Sequence, residues 1–241
     1  MQIISKIDIG RRRRSNQDAC FTGKLSEDTA LAVVCDGMGG AKAGNIASET
    51  AVKRIADYIG KSYRNGMSDS DLAQMLKNAL ISANIEIYDM SLKNSDYNGM
   101  GTTAVASVIS GSNATVCHVG DSRAYLVNDK ITQITRDHSV VQSLLESGKL
   151  TAEEAKVHPR KNVITRALGA EENVLPDCSC VSLSPGDTLL FCTDGLTNYV
   201  ETAEMLDIFK NNDINRVADA LVERANQNGG GDNITVVTVT V

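Results

Sequence analysis

The sequence predicts a single α+β domain built on antiparallel sheets, and three observations support this fold class. The chain has 241 residues, a length that one large domain can occupy, and it contains no internal repeat, low-complexity tract or obvious linker. Strand-like runs come in neighbouring pairs joined by short turns of Gly, Asn and Asp, which favours antiparallel pairing over βαβ units. Helical periodicity is confined to a few separate segments. Residues 1–241 are therefore interpreted as one domain.

Six segments have the apolar and β-branched character of strands. They are Leu31–Cys35, Thr103–Ile109, Ala114–Val119, Arg123–Val127, Thr188–Cys192 and Ile234–Val241. The last segment alternates Thr and Val almost throughout, which predicts a strand with one buried and one exposed face.

The clearest helical pattern runs from Asp71 to Tyr88, where apolar residues recur at three- and four-residue steps. Ser68 and Asp71 resemble a capping box at its start. Further helices are expected from about Asn45 to Ile59 and from about Asn215 to Asn226.

One segment, at about residues 137–169, differs from the rest of the chain. It is charged and helix-prone, and it ends in the residues HPRKNVITRALG. We interpret it as a mobile flap inserted over a site. An ordinary connecting helix and loop is the alternative.

The composition is that of a folded, acidic protein. Hydrophobic residues make up 42% of the chain and charged residues 22%, and the formal net charge is −6. Proteins that bind nucleic acid or anionic membranes derive much of their affinity from a basic surface. The negative net charge therefore disfavours both of these functions. The N-terminal apolar stretch is too short for a signal peptide, and no window approaches the roughly 18 apolar residues of a membrane span. We expect a cytoplasmic protein with no membrane span and no nucleic-acid partner.

The chain has six cysteines, and their spacings match neither a CxxC pair nor a Cys/His zinc site. They are Cys20, Cys35, Cys117, Cys178, Cys180 and Cys192. We expect ordinary thiols in a reducing compartment.

The strongest functional signal is an acidic residue beside glycine at one end of an apolar run, which occurs four times. These residues are Asp36, Asp121, Asp194 and Asp232, and a fifth acid, Asp18, follows the basic segment. If the strands are neighbours, the carboxylates converge on one point. Any single Asp-Gly pair is also typical of an ordinary turn, so only the recurrence favours a site.

Converging carboxylates have an electrostatic cost. Two unit charges about 4 Å apart repel by roughly 1–4 kcal/mol at effective dielectric constants between about 80 and 20. Four or five carboxylates at one point therefore need a bound cation or raised pKa values. All-oxygen ligands of this kind suit Mg²⁺ or Mn²⁺.

Four consecutive arginines, Arg11–Arg14, lie between a strand-like segment and the acid Asp18. A basic run is usually a solvated patch or a nucleic-acid-binding tail. In an acidic protein, one arginine beside a metal cluster would instead bind two oxygens of a phosphoryl group. The composition of the run does not distinguish which arginine does so.

Other catalytic motifs are absent from the sequence. It has no dinucleotide-binding or P-loop glycine pattern, no GxSxG nucleophile elbow and no HExxH zinc motif. The three histidines are dispersed, and His118 lies in a strand-like run where a packed core residue is the better interpretation.

In their order and spacing the motifs resemble those of the type-2C family of metal-dependent protein phosphatases, in its compact bacterial form. The matching segments are IGRRRRSNQD, VVCDGMGG, MGTTA, VGDSRAYL, TRDHS, HPRKNVITRALG, CTDGLTNYV and GGGDNITVV, which span nearly the whole chain. The resemblance implies a four-layer α/β/β/α sandwich, in which two antiparallel sheets pack face to face with helices outside.

The resemblance also assigns ligands to a pair of metal ions by position in the motifs. Asp36 would bridge the two ions, and the backbone carbonyl of Gly37 would bind one of them. Asp194 and Asp232 would complete the shell of the second ion.

Further residues around this pair follow from the same resemblance. Asp18 would hold metal-bound waters, and Asp121 would bind a weaker third ion together with Asp194. The family's phosphate-binding arginine stands five residues before the acid of its first motif, which corresponds to Arg13.

The implied activity is hydrolysis of phosphoserine and phosphothreonine in proteins, without a covalent enzyme intermediate, by a water that Mn²⁺ or Mg²⁺ activates. Arg13 and Asp36 would be the catalytic residues. The implied partners are phosphoproteins and, by analogy with bacterial relatives, a eukaryotic-like Ser/Thr kinase and its substrates.

Three positions depart from the family pattern. Many relatives carry a histidine as general acid at one of two places that hold Met38 and Ala41 here, so water at the metal site would have to protonate the leaving oxygen. Gln17 replaces an acid common in the first motif. Neither change removes a metal ligand, so activity is expected.

Two rival functions remain open. A pseudophosphatase would bind phosphorylated partners without turnover, but the retained aspartates argue against it. A metal-dependent nuclease is disfavoured by the acidic net charge.

Overall fold

Two antiparallel sheets form the centre of the computed structural model, which describes residues 1–241 except for the side chains of residues 40–42. The first sheet contains, in spatial order, β1 (Gln2–Asp8), β11 (Ile234–Thr240), β10 (Thr188–Cys192), β7 (Arg123–Val127) and β8 (Ile131–Gln133). The second contains β2 (Asp18–Ser26), β3 (Thr29–Met38), β5 (Ala104–Ser110), β6 (Asn113–Val119) and β9 (Asp177–Ser182), with the short β4 (Gly101–Thr102) paired to β3.

Helices cover the outer face of each sheet. Those on the second sheet are α1 (Gly40–Ser62) and α2 (Asp69–Lys93), which a short 3-10 turn (Ser95–Tyr97) follows. Those on the first sheet are α5 (Asp194–Thr197), α6 (Thr202–Asn211) and α7 (Ile214–Gln227). Two more, α3 (Val140–Glu146) and α4 (Ala152–Val157), lie between β8 and β9 in the chain. Among the described residues, no helix has both the length and the apolar character needed to span a membrane.

Apolar clusters fill the spaces between these layers, and strand alternation divides the side chains among them. In β3, Val33 packs towards α1 and α2, whereas Val34 packs between the sheets. In β11, Val236 packs towards the helices and Val237 between the sheets. Each such fully buried side chain contributes about 1.5–3 kcal/mol to the stability of the fold. The layers are therefore helix, sheet, sheet and helix, as expected.

The prediction of a half-buried last strand is wrong. Every residue of β11 except the last is buried. The strand lies inside the first sheet, between β1 and β10, with helices on one side and the second sheet on the other. Its threonines Thr235 and Thr238 are therefore buried polar residues that need hydrogen-bond partners.

The helix expected at Asp71–Tyr88 is confirmed as the longer α2. Its capping box is present: the Asp71 backbone N–H donates to Ser68 Oγ, and the Ser68 backbone N–H donates to the Asp71 carboxylate. These two bonds satisfy N–H groups that a helix N-terminus otherwise leaves without partners.

The segment of residues 137–169, interpreted from sequence as a flap, contains α3 and α4. A backbone bridge between Ser139 and Ile164 joins the two ends of the segment to each other. The Leu168 bridge to Thr102 and the His138 N–H, which donates to the Gly120 carbonyl at 2.9 Å, fix these ends to the body. Between these ends, the exposed Lys156 ammonium contacts the exposed Glu201 carboxylate at 2.9 Å. Because exposed ion pairs are weak, this contact can open at little cost, and the flap role stays a prediction.

The prediction that all six cysteines are ordinary thiols is wrong for one pair. Cys117 and Cys178 form a disulfide between β6 and β9, where they stand directly opposite each other. Their separation of 61 residues carries no local sequence signal, because only the pairing of the two strands brings them together. The free cysteines are Cys20, Cys35, Cys180 and Cys192.

Candidate metal and phosphate site

The pairing of strands in the second sheet brings three of the predicted acids to one edge. Asp36 lies near the end of β3, and its direct partner across the antiparallel pair is Asp18, the first residue of β2. On the other side, the Thr103 N–H donates to the Asp36 carbonyl at 2.8 Å, just before β5 begins. Since β6 runs antiparallel to β5, it ends at this same edge, and Asp121 follows it.

The first sheet contributes the other two acids at the facing edge. Asp194 follows β10, and Asp232 precedes the adjacent antiparallel strand β11, so both stand at the same end of this sheet. Residues from these two edges line one cavity of about 510 Å³. Its walls include Asp36, Asp121, Asp194 and Asp232, together with Gly37 and Arg13. The four glycine-flanked acids therefore line one cavity, and their role as ligands of a shared metal site stays a prediction.

Asp18 occupies a different position from the other acids. It is buried beside Asp36 and does not belong to the wall of the cavity. Its Oδ2 accepts hydrogen bonds from the hydroxyls of Thr193 at 2.9 Å and Thr235 at 2.8 Å, both of which come from the first sheet. Asp18 therefore joins the two sheets directly behind the cavity.

The two Asp-Gly pairs at the cavity are not ordinary turns. Asp36 and Gly37 lie within strand β3, and Asp194 begins helix α5. A Cβ added at Gly37 would lie 2.0 Å from the Gly44 carbonyl oxygen, and one added at Gly195 would lie 1.8 Å from the Asn233 carbonyl oxygen. Glycine is required at both places because neighbouring backbone approaches closely.

Burial and mutual repulsion raise the pKa values of these carboxyl groups. Burial, then the charges of Asp18 and Asp194, hold the pKa of Asp36 well above its usual range. Burial raises the pKa of Asp18 to about 7, although the bonds from Thr235 and Thr193 oppose the change. Burial and the charge of Asp194 raise the pKa of Asp121 to about 7.

The donor set fits hard divalent cations. Burial and the charge of Asp232 raise the pKa of Asp194. Moreover, the Oδ1 atoms of Asp18 and Asp194 are buried without a hydrogen-bond partner among the described residues. A buried acceptor without a donor costs free energy that a bound cation would recover. Carboxylate and carbonyl oxygens in this number suit Mg²⁺ or Mn²⁺.

Divalent metal should therefore stabilise the fold. Free Mn²⁺ at about 100 times its Kd adds roughly 2.7 kcal/mol for one site. Each kcal/mol shifts the Tm of a domain of this size by about 2–4 °C, so the expected rise over the metal-free protein is about 5–10 °C. Thermal melts in EDTA, Mg²⁺ and Mn²⁺ measure it. Asp232→Asn should blunt the rise, whereas Asp207→Asn, on the exposed side of α6, should not. An unchanged Tm in all three conditions would contradict the metal site.

The metal-free protein should also become more stable as the pH falls. A raised carboxyl pKa means that the folded state binds more protons than the unfolded state between about pH 4 and pH 7, so stability decreases as the pH rises. One group with a folded pKa of about 7, such as Asp18, contributes about 1.4 kcal/mol between pH 8 and pH 6, or about 3–5 °C. Melts in EDTA at the two pH values test this, and a higher Tm at pH 8 would contradict it.

Arg13 lies on the cavity wall, and its Nη2 donates to Asp232 Oδ2 at 2.7 Å. If the basic run continued β1 as a strand, alternation would turn Arg12 and Arg14 to the side away from Arg13, but this prediction is wrong. Residues 10–15 form turns and bends after β1 ends, so no alternation applies, and Arg14 lies on the same cavity wall as Arg13. Arg12 is exposed and is not on that wall.

Hydroxyl and amide side chains that were not among the predicted site residues hold the acids and the arginine loop in place. The Asp36 N–H donates to Thr103 Oγ1, which also bonds Ser122 Oγ at 2.7 Å. Asn233 Nδ2 donates to the carbonyls of Ile9 and Ser15, both at 3.0 Å. The TT dipeptide of MGTTA and the asparagine that follows Asp232 were the available signal, but Ser, Thr and Asn at strand ends are too common to be informative alone.

The histidines do not take part in the cavity wall. His118 is buried, as predicted, and its Nε2 hydrogen-bonds the Arg136 carbonyl at 2.7 Å. His138 stacks on it, and its Nδ1 accepts the Gly120 N–H at 3.1 Å. His138 Nε2 in turn contacts Asp177 Oδ2 at 3.0 Å. This packing fixes the backbone immediately before Asp121.

The departures from the family pattern fall close to the cavity. Met38 lies on its wall, and the Gln17 backbone N–H donates to Asn233 Oδ1 at 2.8 Å. The side chain of Ala41 lies outside the described residues.

Comparison with known proteins adds independent evidence. The protein phosphatase 2C family model matches residues 10–234 of this chain. The serine/threonine phosphatase stp of Listeria innocua is 41% identical over 236 residues, which cover 97% of this chain and 93% of that protein. Protein phosphatase PhpP of Streptococcus pneumoniae is 37% identical over an alignment 245 positions long, which covers 100% of this chain and 98% of that protein.

The solved structures that resemble this chain are also serine/threonine phosphatases. The crystal structure of serine/threonine phosphatase Stp1 from Staphylococcus aureus matches with a TM-score of 0.93 and 34% identity, covering 100% of this chain and 94% of that one. The catalytic domain of the serine/threonine protein phosphatase PstP, solved in complex with two manganese ions, matches with a TM-score of 0.86 and 33% identity, covering 98% of this chain and 96% of that one.

Proposed function

Because this chain belongs to the protein phosphatase 2C family and is a metal-dependent serine/threonine protein phosphatase, we propose that the aspartate-lined cavity is its catalytic centre. The observation that carries the proposal is the presence of four carboxylates and Arg13 on the walls of one cavity. Arg13 and Asp36 are the proposed catalytic residues.

The proposed metal ligands are Asp36, Gly37, Asp121, Asp194 and Asp232, and Asp18, buried behind them, completes the metal site by holding waters bound to the ions. Two Mn²⁺ or Mg²⁺ ions are assigned to the core, and a weaker third ion to Asp121 and Asp194. The buried, unpartnered Oδ1 atom of Asp194 and the two manganese ions of the PstP structure support this assignment. When bound, the ions supply an acidified water as the nucleophile and neutralise negative charge on the phosphoryl group.

Arg13 binds and orients the phosphoryl group in this mechanism. Its guanidinium is held at the cavity by Asp232, at 2.7 Å, which leaves other N–H groups of the fork free to donate to phosphoryl oxygens. Charge that develops on those oxygens in the transition state strengthens these bonds, and this difference is what accelerates the reaction.

Attack by water without a covalent intermediate agrees with the residues on the wall. Cysteine and histidine are missing from the described cavity lining. Thr103 Oγ1 is already engaged by Ser122 and by the Asp36 N–H. Ser15 is the other hydroxyl of the described lining, and that lining contains no histidine or lysine to activate it as a nucleophile. With Met38 at the position of a family histidine, we propose that water protonates the leaving oxygen.

Three substrates test the proposal and separate it from its rivals. We expect p-nitrophenyl phosphate and a phosphothreonine peptide to be hydrolysed in Mn²⁺ and not in EDTA, and a DNA duplex to stay intact. Binding of the phosphopeptide without turnover would instead indicate a pseudophosphatase, and cleavage of DNA a nuclease.

The flap of residues 137–169 should govern substrate choice more than chemistry, since it contributes none of the proposed ligands. Replacing α4 by a short Gly-Ser linker should change the ratio of kcat/KM for phosphopeptide to that for p-nitrophenyl phosphate, with turnover of the small substrate kept within a few-fold. Steady-state kinetics of both substrates measure the ratio, and Lys210→Ala, on the exposed surface of α6, is the control. An equal collapse towards both substrates would show that the segment is structural or catalytic.

The proposal extends to partners and compartment. Phosphoserine and phosphothreonine proteins are the substrates, and a eukaryotic-like Ser/Thr kinase with its targets is the proposed source of them in the cytoplasm. These assignments rest on the resemblance of the motifs to bacterial relatives.

A further inference from the structure

We propose that Arg14 forms a second anion-binding position beside the phosphate site, which selects substrates with another negative group next to the phosphorylated residue. The proposal rests on the proposed function, because it assigns a substrate class to the same cavity. Arg14 lies on the cavity wall with Arg13, within the loop of residues 9–17 that connects β1 and β2.

The loop holds Arg14 in a defined place. At one end the Arg11 N–H donates to the Gly230 carbonyl at 2.7 Å, and Gly10 before it has a φ of +79°, where a Cβ would lie 2.1 Å from the Asp232 carbonyl oxygen. At the other end Asn233 Nδ2 donates to the Ser15 carbonyl at 3.0 Å. A backbone tied on both sides of Arg14 limits the ordering entropy that binding must overcome.

The two arginines on the wall differ in what they already contact. The Arg13 guanidinium forms an ion pair with Asp232. Arg14 is exposed, and among the described side chains no hydrogen bond or ion pair engages its guanidinium. Arg14 therefore presents an uncompensated positive charge at the mouth of the cavity.

This charge has a specific consequence for the substrate. The four carboxylates of the cavity are assigned to metal ions, but the chain as a whole has a net charge of −6, which disfavours acidic peptides. The free guanidinium of Arg14 at the rim attracts acidic groups locally, because it binds carboxylate and phosphate oxygens through paired N–H donors. The expected ligand is an anion on the substrate polypeptide, either an Asp or Glu side chain or a second phosphate.

Three peptides of one sequence test the proposal: a phosphothreonine peptide with neutral flanks, the same peptide with glutamate neighbours, and the same peptide with a second phosphothreonine. The readout is the ratio of kcat/KM for each anionic peptide to kcat/KM for the neutral peptide. A variant that loses activity equally towards all peptides leaves this ratio unchanged. We expect Arg14→Ala to lower this ratio about three- to tenfold, and Arg14→Glu to lower it further. Arg12→Ala removes an equal charge from the same loop away from the wall and is the matched control.

A lowered ratio in either anionic arm supports the proposal and identifies the ligand as carboxylate, phosphate or both. An unchanged ratio in Arg14→Ala, or an equal loss in Arg12→Ala, overturns it. Failure of the proposed function is a separate outcome, since the unaltered protein would then hydrolyse none of the three peptides. Melting temperatures of all variants in Mn²⁺ confirm that the ratios refer to folded protein.

Discussion

Replacing Asp36 or Asp194 by alanine should abolish the hydrolysis of both phosphopeptide and p-nitrophenyl phosphate. Each residue is assigned to more than one ion, and the ions stabilise transition-state charge by several kcal/mol, so kcat/KM should fall by at least about a thousandfold. Steady-state kinetics across a Mn²⁺ titration measure the loss and any weakening of metal binding. Asp207→Ala is the matched control, because Asp207 is exposed on α6.

Stability separates loss of chemistry from loss of fold in these variants. Removing one buried carboxylate relieves repulsion from its neighbours, so the metal-free variants should melt no lower than the metal-free parent. Mn²⁺ should then stabilise them less than it stabilises the parent. Activity that depends on Mn²⁺ as in the parent, in either variant, would disprove the bridging assignment.

Arg13→Ala should lower kcat/KM for phosphopeptide by about 10- to 1000-fold. This is the range expected when a charge-assisted hydrogen bond or a transition-state donor is lost. Arg13→Lys should recover part of the loss, because it keeps the charge and loses the paired N–H donors. Arg12→Ala, in the same loop and away from the cavity wall, should remain close to the parent.

The split between KM and kcat shows where Arg13 acts. An effect on KM alone would mean that the guanidinium binds substrate and transition state equally, whereas a loss in kcat indicates bonds that strengthen in the transition state. If Arg12 proves the sensitive position, the assignment of the phosphate-binding arginine is wrong by one residue.

Local patterns were sufficient to predict much of the fold. The strand predictions at Arg123–Val127 and Thr188–Cys192 match β7 and β10, because these runs are short, apolar and bounded by polar residues. Edge strands were harder. Neither β2 nor β9 was predicted, since an edge strand can carry polar residues such as those of DCSCVS in β9.

The candidate site was predicted from recurrence and not from geometry. Nothing local indicates that Asp18 stands opposite Asp36, or that Thr193 and Thr235 donate to Asp18 across the two sheets. The Cys117–Cys178 bond was missed for the same reason. Contacts of this kind depend on strand register, which a single sequence specifies only through the complete fold.

The topology of the first sheet also bears on how the protein is made. β1 is an edge strand whose neighbour in this sheet is β11, the last strand of the chain, and Asn233 at the start of β11 holds the loop that carries the arginines. A ribosome that adds about 5–20 residues per second needs roughly 10–50 s to reach β11 after β1 has emerged. During that interval the nascent N-terminal strand has no partner in its sheet, and the contacts that complete the sheet are among the most distant in the chain, which is typical of slow folding. The phosphatase therefore becomes active only after β11 has been made, and a premature stop before β11 would remove both the partner of β1 and the anchor of the arginine loop.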